Sequence, residues 1–470
     1  MKRLINTAAE CALLSILILG HASAAPSESE ATRSAASESE QQAAMPPATA
    51  EGPSREVQRS LLQKMKSRKP TIRVPATRTL AKYPTAEGAR FLAQHGLGSG
   101  YVDVRHASYE TLVGMNQVGP VADYLLDTAA KEIKRSTPRE TTAAMLAIAI
   151  ASADQTIERR ALELFDEAAA RAKMGVPFVL SLVDELGAQG DKTSVAVLAK
   201  ISKRVIFTNC FAVRRAVVQS LRRISLPQSI ETLIAILTTA TGEVRGDIVR
   251  HLTTVSGQQF GLNPGAWVKW WQTQQGKLPR GGGQSISLAD ALPSTATYYG
   301  LPICASRMVF VLDTSASMSG LRILAAKREL STAIANLPSD AAFNILAFDI
   351  LVAPWSSELM PATPENKAAA IQWVLLRGLG PQTASYNALE AAFAFDTEAI
   401  YFLTDGQPAG GTINDPVQIV AVLTQLNQTR RLTINSIGIA VGPPGPINPF
   451  DLFLSSLAAL NYGEYRRVDQ

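Results

Sequence analysis

The sequence has few of the residues on which common catalytic sites depend. Its 470 residues include three cysteines and four histidines, and no histidine follows His251. The C-terminal part of the chain therefore cannot form a Ser-His hydrolase centre of its own. A G-x-x-x-x-G-K-[ST] phosphate loop is also missing, and the glycine-rich residues 96–100 have no strand before them. We predict that the protein is not an enzyme and has neither catalytic nor organic-cofactor-binding residues.

An excess of charge of one sign is missing as well. The 45 Lys and Arg against 40 Asp and Glu give a net charge of +5. Because phosphate binding needs concentrated Lys and Arg, this balance predicts no nucleic-acid partner. The hydrophobic fraction of 46% and the charged fraction of 18% are typical of globular protein, and the length indicates about three domains.

The N-terminus carries the three-part pattern of a secretory signal peptide. Lys2 and Arg3 precede a short apolar stretch at 11–20, and residues 22–24 (Ala-Ser-Ala) supply a cleavage site. The stretch is too short to span a bilayer, so we expect no transmembrane helix in the mature chain. The alternative is a signal that is retained as an anchor. Removal of residues 1–24 predicts a bacterial protein that is secreted, periplasmic or at the cell surface.

Neither the segment after the signal peptide nor the remaining two cysteines suggest a functional site. Residues 25–54 are rich in Ala, Ser, Glu, Gln and Pro and contain almost no large apolar side chains. Such a segment cannot bury enough surface to offset its ordering entropy, so it is predicted to be disordered. Cys210 and Cys304 lie in different predicted domains, and nothing in the sequence argues for a disulfide between them. We expect two free thiols.

Residues 55–275 have apolar residues at helical spacing, interrupted by short turns. The surroundings of Arg73 and Arg105 are similar, as are those of Arg214 and Arg245, and each pair is about 31 or 32 residues apart. A helical repeat of this length is typical of an α-solenoid, and its V-R-x-x-A-x-x-x-L pattern resembles HEAT repeats. Because each unit buries its apolar face against a neighbour, we expect these arginines to pair with acidic side chains or carbonyls of an adjacent unit.

Trp267, Trp270 and Trp271 lie on one face of a predicted helix, because their spacing is i, i+3 and i+4. Three indoles on one stripe would bury much apolar surface. The helix is therefore predicted to cap the last unit of the array, with an aromatic surface for a partner as the alternative. Residues 276–300, which include three consecutive glycines, are predicted to be a linker.

The most informative motif begins in a short apolar strand. Residues 309–317 read Val-Phe-Val-Leu-Asp-Thr-Ser-Ala-Ser, so the strand ends on Asp313 and is followed by Ser315 and Ser317. Open α/β sheets bind ligands at the carboxyl ends of their strands. One carboxylate and two hydroxyls, with no His or Cys among them, suit a hard divalent cation such as Mg²⁺, Mn²⁺ or Ca²⁺.

Two further pieces follow in order along the chain. Residues 380–383 (Gly-Pro-Gln-Thr) form a predicted turn that supplies a hydroxyl, and residues 399–406 form a second apolar strand that ends on Asp405 and a glycine. From about Arg307 onwards, these motifs resemble the von Willebrand factor type A (VWA) domain with its metal-ion-dependent adhesion site.

The resemblance implies five metal ligands, a divalent cation and a protein partner. The ligands carried over residue by residue are Asp313, Ser315, Ser317, Thr383 and Asp405. Mg²⁺ is the expected ion, with Mn²⁺ or Ca²⁺ as alternatives. In the family the serines usually bind the ion directly and the aspartates often act through water. One position is left for an Asp or Glu carboxylate of the partner protein.

The sequence departs from the family pattern at three places. Ala316 replaces the usual Gly between the serines, residues 381–382 (Pro-Gln) replace Gly-Gly, and Asn387 stands where Asp is common. These departures leave the five ligands in place and concern the geometry of the loops. Independently of any metal, Asp313 could cap the helix that follows, and the serines could be turn residues.

Strands that alternate with helices predict a doubly wound, mostly parallel sheet after residue 301. The predicted strands are 308–313, 342–348, 399–404, 432–440 and 464–468, with an edge strand at 350–355; the predicted helices are 320–336, 364–376, 385–395, 415–429 and 450–460.

The predicted fold class is multidomain, with a HEAT-like α-solenoid over residues 55–275 and a C-terminal α/β VWA domain over residues 301–470. We predict an exported interaction or adhesion module that binds a partner through the metal, with the helical array as its scaffold. Two alternatives stay open. Ro ribonucleoproteins also join a HEAT-like array to a VWA domain, so RNA binding is one. The other is a structural scaffold that binds no metal.

Overall fold

The computed structural model describes residues 51–116, 119–135, 138–172, 174–274, 276–277, 291–292, 296–439 and 448–469. The predicted signal peptide, most of the low-complexity segment and most of the predicted linker lie outside these residues. Contacts divide the chain into two compact units, Ser29–Leu233 and a second unit that contains Ile234–Gln470. Within the described ranges, no helix is long and apolar enough to cross a membrane.

The first unit is built from helices, which confirms the predicted helix-rich N-terminal region. Its helices are α1 (Arg55–Met65), α2 (Pro70–Arg78), α3 (Ala86–Phe91), α4 (Val102–Met115), α5 (Gly119–Lys134), α6 (Glu140–Ile150), α7 (Gln155–Ala169), α8 (Gly175–Gln189), α9 (Lys192–Ile201), α10 (Val205–Asn209) and α11 (Phe211–Arg223), and α12 (Pro227–Leu237) crosses into the second unit. A short 3₁₀ segment follows α2 and a π-helical turn follows α3. Asp154 and Asp191 begin α7 and α9, because their side chains accept hydrogen bonds from backbone N–H groups of the first turn.

Arg73 pairs across helices as the repeat pattern predicts, whereas Arg105 and Arg214 donate to carbonyls only six residues before them in the chain. Arg73 Nε donates to both carboxylate oxygens of Asp103 at 2.8 Å, and the guanidinium also lies over the Tyr101 ring. Arg105 donates to the carbonyl of Ser99 at 2.8 Å. Because Arg73 lies on α2 and Asp103 on α4, their ion pair joins two helices of the unit. The assignment of the array to HEAT repeats stays a prediction.

Two helices of the second unit come before the sheet, α13 (Gly242–Ser256) and α14 (Pro264–Thr273). Trp267 of α14 is fully buried, and its indole N–H donates to the carbonyl of Gly261 at 2.9 Å. Trp270 and Trp271 are only half-buried. The predicted burial of three indoles is therefore right for Trp267 alone, because the other two lie at the border of the buried face.

The C-terminal part of the second unit is a mostly parallel sheet, as predicted. The strands are β1 (Thr297–Tyr298), β2 (Leu301–Pro302), β3 (Arg307–Asp313), β4 (Ala342–Phe348), β5 (Val352–Pro354), β6 (Met360–Pro361), β7 (Ala399–Thr404), β8 (Thr433–Ile439) and β9 (Tyr465–Val468). The large sheet has the order β5-β4-β3-β7-β8-β9, and β6 also pairs with β4. Strands β4, β3, β7, β8 and β9 are parallel, whereas β5 and β6 are antiparallel to β4.

Helices connect the parallel strands, which is the doubly wound arrangement. They are α15 (Leu321–Ala335), α16 (Pro364–Leu375), α17 (Ser385–Phe393), α18 (Pro416–Arg430) and α19 (Pro449–Ala459). Every predicted strand and helix of this domain is present, with ends within about two residues of the prediction. The two-residue strands β1, β2 and β6 were not predicted, because a strand that short has no measurable alternation of apolar residues.

The register of the central strands brings the candidate ligands to one edge. Leu312 of β3 is aligned with Leu403 of β7, and Asp313 is aligned with Phe348 of β4. The residues that follow β3, β4 and β7 therefore emerge at the same carboxyl edge of the sheet. The inner strands are buried on both faces, which explains why they read as continuous apolar runs.

The opposite edge of the sheet holds a buried carboxylate that α13 covers. Glu398, which comes directly before β7, has a side chain that is 1% exposed. Its Oε2 accepts hydrogen bonds from the backbone N–H groups of Glu243 and Ser306, both at 3.2 Å. Arg307 lies 3.5 Å from the other oxygen. Gly242 has a φ of +63°, and a Cβ there would lie 1.9 Å from Glu398 Oε2. The Glu398 carboxylate therefore attaches the start of α13 to the sheet, next to the hydrogen bond that Thr433 of β8 donates to Glu243.

We expect Glu398→Ala to destabilise the second unit, because two buried N–H groups lose their acceptor. Each unpaired group costs about 1–3 kcal/mol. Guanidinium denaturation followed by tryptophan fluorescence should show a lower midpoint for the transition of this unit. Glu398→Gln is the matched control, since it keeps an acceptor oxygen and should lose less. Equal midpoints for Glu398→Ala and the wild type would contradict the assigned role.

Candidate metal centre

Asp313 ends the central strand β3 and is fully buried. Its Oδ1 accepts a hydrogen bond from the backbone N–H of Ser315 at 2.8 Å, and its Oδ2 accepts one from the hydroxyl of Thr404. The carboxylate is thus held from two sides, by the loop after β3 and by the last residue of β7. This arrangement fixes its direction at the carboxyl edge of the sheet.

The two serines of the motif extend from Asp313 towards Asp405. The Ser315 and Ser317 hydroxyl oxygens are 2.9 Å apart, and the Ser317 hydroxyl donates to Asp405 Oδ1 at 2.7 Å. A 3₁₀ turn at Ala316–Met318 presents the serines. Four of the five predicted ligands are therefore brought together by hydrogen bonds.

Thr383 lies in the loop between α16 and α17, beside the other four. Gly380 N donates to the carbonyl of Thr314 at 2.8 Å and forms a parallel bridge with Ser315. Thr383 itself is 5% exposed, and its carbonyl accepts a hydrogen bond from Ala409 N at 3.0 Å. Within the described residues, no hydrogen bond joins its hydroxyl to the other four side chains. The structure thus places Thr383 in the neighbouring loop and does not link it directly to them.

The burial of Asp313 has an electrostatic cost. Burial raises the pKa of this carboxyl from an ordinary 3.8 to about 6, and the nearby carboxylate of Asp405 also raises it. The hydrogen bonds from Thr404 and Ser315 act in the opposite direction but are smaller than the effect of burial. A buried carboxylate in this state would be stabilised in its charged form by a cation placed next to it.

Arg322 supplies a positive charge that the sequence analysis did not identify. One of its guanidinium nitrogens donates to Asp405 Oδ2 at 2.7 Å and to the carbonyl of Ser317 at 3.0 Å. The Asp405 side chain is fully buried, whereas that of Arg322 is 38% exposed. The signal for this contact was the position of Arg322 in the first turn of α15, directly after the serine loop. The contact neutralises one of the two buried carboxylates.

Asn387, one of the departures from the family pattern, braces a loop. Its side-chain amide donates to the Thr412 hydroxyl at 3.0 Å, and its Oδ1 accepts from Thr412 N at 2.8 Å. Gly411 beside it has a φ of +85° and leaves room for Asn387 Oδ1, which would lie 2.3 Å from a Cβ. The side chain therefore holds the loop after β7 in place, and both its amide nitrogen and its oxygen are engaged in hydrogen bonds to Thr412.

The donor set fits a hard divalent cation. Carboxylate and hydroxyl oxygens are the ligands that Mg²⁺, Mn²⁺ and Ca²⁺ prefer. Throughout the described ranges, no three His, Cys, Asp or Glu side chains cluster as metal ligands do. Any metal at this edge of the sheet would therefore depend on serine and threonine hydroxyls beside the two aspartates.

The fold agrees with what sequence comparison finds. Residues 306–446 match the family model of the von Willebrand factor type A domain, so this part of the chain is a VWA domain. The chain is 28% identical over 156 residues to von Willebrand factor A domain-containing protein 3B of Homo sapiens, a match that covers 33% of this chain and 11% of that protein.

A second relative is an inter alpha-trypsin inhibitor heavy chain. Heavy chain 4 of Mus musculus is 27% identical over 181 residues, which cover 36% of this chain and 18% of that protein. The chain thus spans less than a fifth of the length of these curated relatives. A solved structure of an aerotolerance-related membrane protein from Bacteroides fragilis covers 35% of this chain and 92% of its own, with 18% identity and a TM-score of 0.29. A TM-score this low supports no argument.

We expect Asp313→Asn to stabilise the protein at pH 7 when metal is removed with EDTA. The pKa of Asp313 is higher in the folded protein, so its contribution to stability is full below about pH 4 and is lost as the pH rises through about 6. Asparagine does not ionise and avoids this loss, which corresponds to about 1–3 kcal/mol at pH 7. Urea denaturation in EDTA should show the difference at pH 7 and a smaller one at pH 4. The same difference at both values would contradict the argument.

Proposed function

We propose that the VWA domain binds a divalent cation and, through it, a carboxylate of a partner protein. The residues that would hold the cation are Asp313, Ser315, Ser317, Thr383 and Asp405. Mg²⁺ is the ion that we favour, with Mn²⁺ or Ca²⁺ as alternatives. The observation that carries the proposal is the hydrogen-bonded series from the buried Asp313 loop through both serines to Asp405.

When bound, the cation would supply a positive charge with a coordination position open to an Asp or Glu side chain. The protein's own residues prepare the place for it. Asp313 and Asp405 are buried, so bulk water does not screen their charges. Thr404 orients Asp313, and the Gly380 backbone fixes the Thr383 loop beside Ser315. These contacts keep oxygen donors from three separate segments at one edge of the sheet.

The proposal describes binding rather than catalysis, by a protein that is exported. The VWA domain provides no histidine, since all four histidines precede it in the chain, so a Ser-His pair cannot form within it. The signal-like residues 1–24 favour a secreted, periplasmic or cell-surface location. The helical region would serve as a scaffold that presents the domain.

Asp313→Ala tests the proposal directly. The variant should lose Mg²⁺ or Mn²⁺ binding, because it removes the carboxylate on which the donor set is built. Isothermal titration calorimetry on the full chain measures this loss. Capture of partner proteins from an exported fraction should depend on Asp313 and should be abolished by EDTA.

Asp340→Ala is the matched control for that experiment. Asp340 is an exposed carboxylate in the turn before β4, at the other edge of the sheet, so its variant should bind metal as the wild type does. Equal metal binding by the wild type and Asp313→Ala would refute the site. Capture that persists in both variants without any metal binding would support the scaffold alternative instead.

Arg322→Gln should raise the affinity for Mg²⁺ by about tenfold, which is about 1.4 kcal/mol. Arg322 pairs with Asp405, so its guanidinium competes with a metal ion for the same carboxylate. Calorimetric titration of the variant measures the change. Arg328→Gln is the control, because Arg328 is an exposed arginine of the same helix and its loss should leave the affinity unchanged. A weaker affinity in Arg322→Gln would show that Arg322 supports Asp405 rather than competing for it.

A further inference from the structure

Six exposed leucines lie on the segments next to the candidate metal centre. Their exposed fractions run from 43% to 77%. These residues, called the leucine rim below, are Leu321, Leu324, Leu351, Leu375, Leu376 and Leu379. A concentration of exposed apolar side chains beside polar groups is typical of a binding surface.

One side of the rim is formed where α15 meets the end of α16. Leu321 and Leu324 lie in the first turns of α15, directly after the loop that carries the two serines. Lys327 Nζ donates to the carbonyl of Leu375 at 3.0 Å and to that of Arg377 at 2.6 Å. The leucines that begin α15 and those that end α16 are therefore on adjacent segments.

The other side of the rim is linked to the Thr383 loop. Leu379 comes directly before Gly380, which is bonded to the loop after β3. Leu351 lies in a turn closed by Asp349, whose Oδ1 accepts a hydrogen bond from Leu351 N at 2.8 Å. The carbonyl of Asp349 accepts one from Ala384 N, also at 2.8 Å. The rim is thus continuous with the segments that carry the predicted ligands.

The charges on this surface favour an acidic partner. Arg322 is 38% exposed beside Asp405, and Lys327 Nζ lies between α15 and the end of α16, where it bonds the carbonyls of Leu375 and Arg377. The carboxylates of Asp313 and Asp405 are buried. Of the charged groups named on these segments, Asp349 is a partly exposed carboxylate beside Leu351, and the other partly exposed groups are cationic. A second copy of the chain would present the same cations, and like charges would oppose each other.

We propose that the leucine rim is a docking site for a segment of a partner protein in which an Asp or Glu is flanked by aliphatic side chains. Binding of the partner's Asp or Glu rests on the proposed function, because it needs the metal. Packing of the aliphatic side chains on the leucines does not need the metal. The acidic side chain is directed to the ligand edge of the sheet, and its aliphatic neighbours pack on the leucines. Burial of such side chains at the centre of an interface supplies much of the binding energy.

Selection from a random peptide library displayed on phage tests the inference. The full chain is immobilised in MgCl₂, and retained peptides are synthesised and measured by fluorescence anisotropy. We expect retained peptides to carry Asp or Glu with Leu, Ile, Val or Phe within about three residues. Leu321→Ser/Leu376→Ser should weaken their binding at least about tenfold, while its Mg²⁺ affinity stays that of the wild type.

Leu426→Ser/Leu452→Ser is the matched control, since both leucines are exposed on α18 and α19 and lie outside the rim. Its peptide affinity should not change. Retained peptides that show no aliphatic preference, or that bind the rim variant as well as the wild type, would overturn the inference. An absence of retained peptides would overturn it too.

Two further outcomes identify other occupants. Rim-dependent self-association in sedimentation velocity, or rim-dependent co-sedimentation with phosphatidylcholine–phosphatidylglycerol vesicles, would replace the partner protein by a second copy or a lipid surface. A separate result would refute the proposed metal binding. A wild-type chain that binds no Mg²⁺, but retains rim-dependent aliphatic peptides without a carboxylate preference, would refute the proposed function and leave the rim as a peptide site.

Discussion

The arrangement of the ligand edge depends on one constraint, the burial of the Asp313 carboxylate at the end of the central strand. A carboxylate there loses its water and must be compensated by hydrogen bonds or by a positive charge. Thr404 and the Ser315 backbone provide hydrogen bonds, yet they only partly offset the rise in its pKa that burial causes. The serine loop and the end of β7 both bind this one group, and the Thr383 loop is attached to the serine loop.

Arg322 compensates part of the negative charge at the same edge without a metal. Asp405 is as buried as Asp313, but the guanidinium of Arg322 compensates it directly. Only Asp313 is therefore left without a nearby positive partner within the hydrogen-bonded series. A cation at this edge would share Asp405 with Arg322, so metal affinity and the position of the first turn of α15 are coupled.

Buried carboxylates lie at both ends of the parallel strands, but they have different roles at the two ends. At the carboxyl edge, buried aspartates face loops and polar side chains. At the amino edge, the buried Glu398 accepts hydrogen bonds from Glu243 and Ser306 and so attaches α13 to the sheet. Parallel strands make this separation possible, because all their carboxyl ends meet on one side. The attachment of α13 therefore leaves the ligand edge free.

The sequence by itself determined the helix-rich region, the order of strands and helices in the α/β domain, and the edge to which Asp313, Ser315, Ser317 and Asp405 belong. Apolar periodicity and turn residues carry that information locally. Tertiary structure alone decided the pairing of Arg322 with Asp405, the role of Asn387 as a loop brace and the burial of Trp267 without its two neighbours. It also brought together the leucines of three segments. The contacts of Arg322 and Asn387 join residues far apart in the chain, and the apolar periodicity of one segment does not specify such partners.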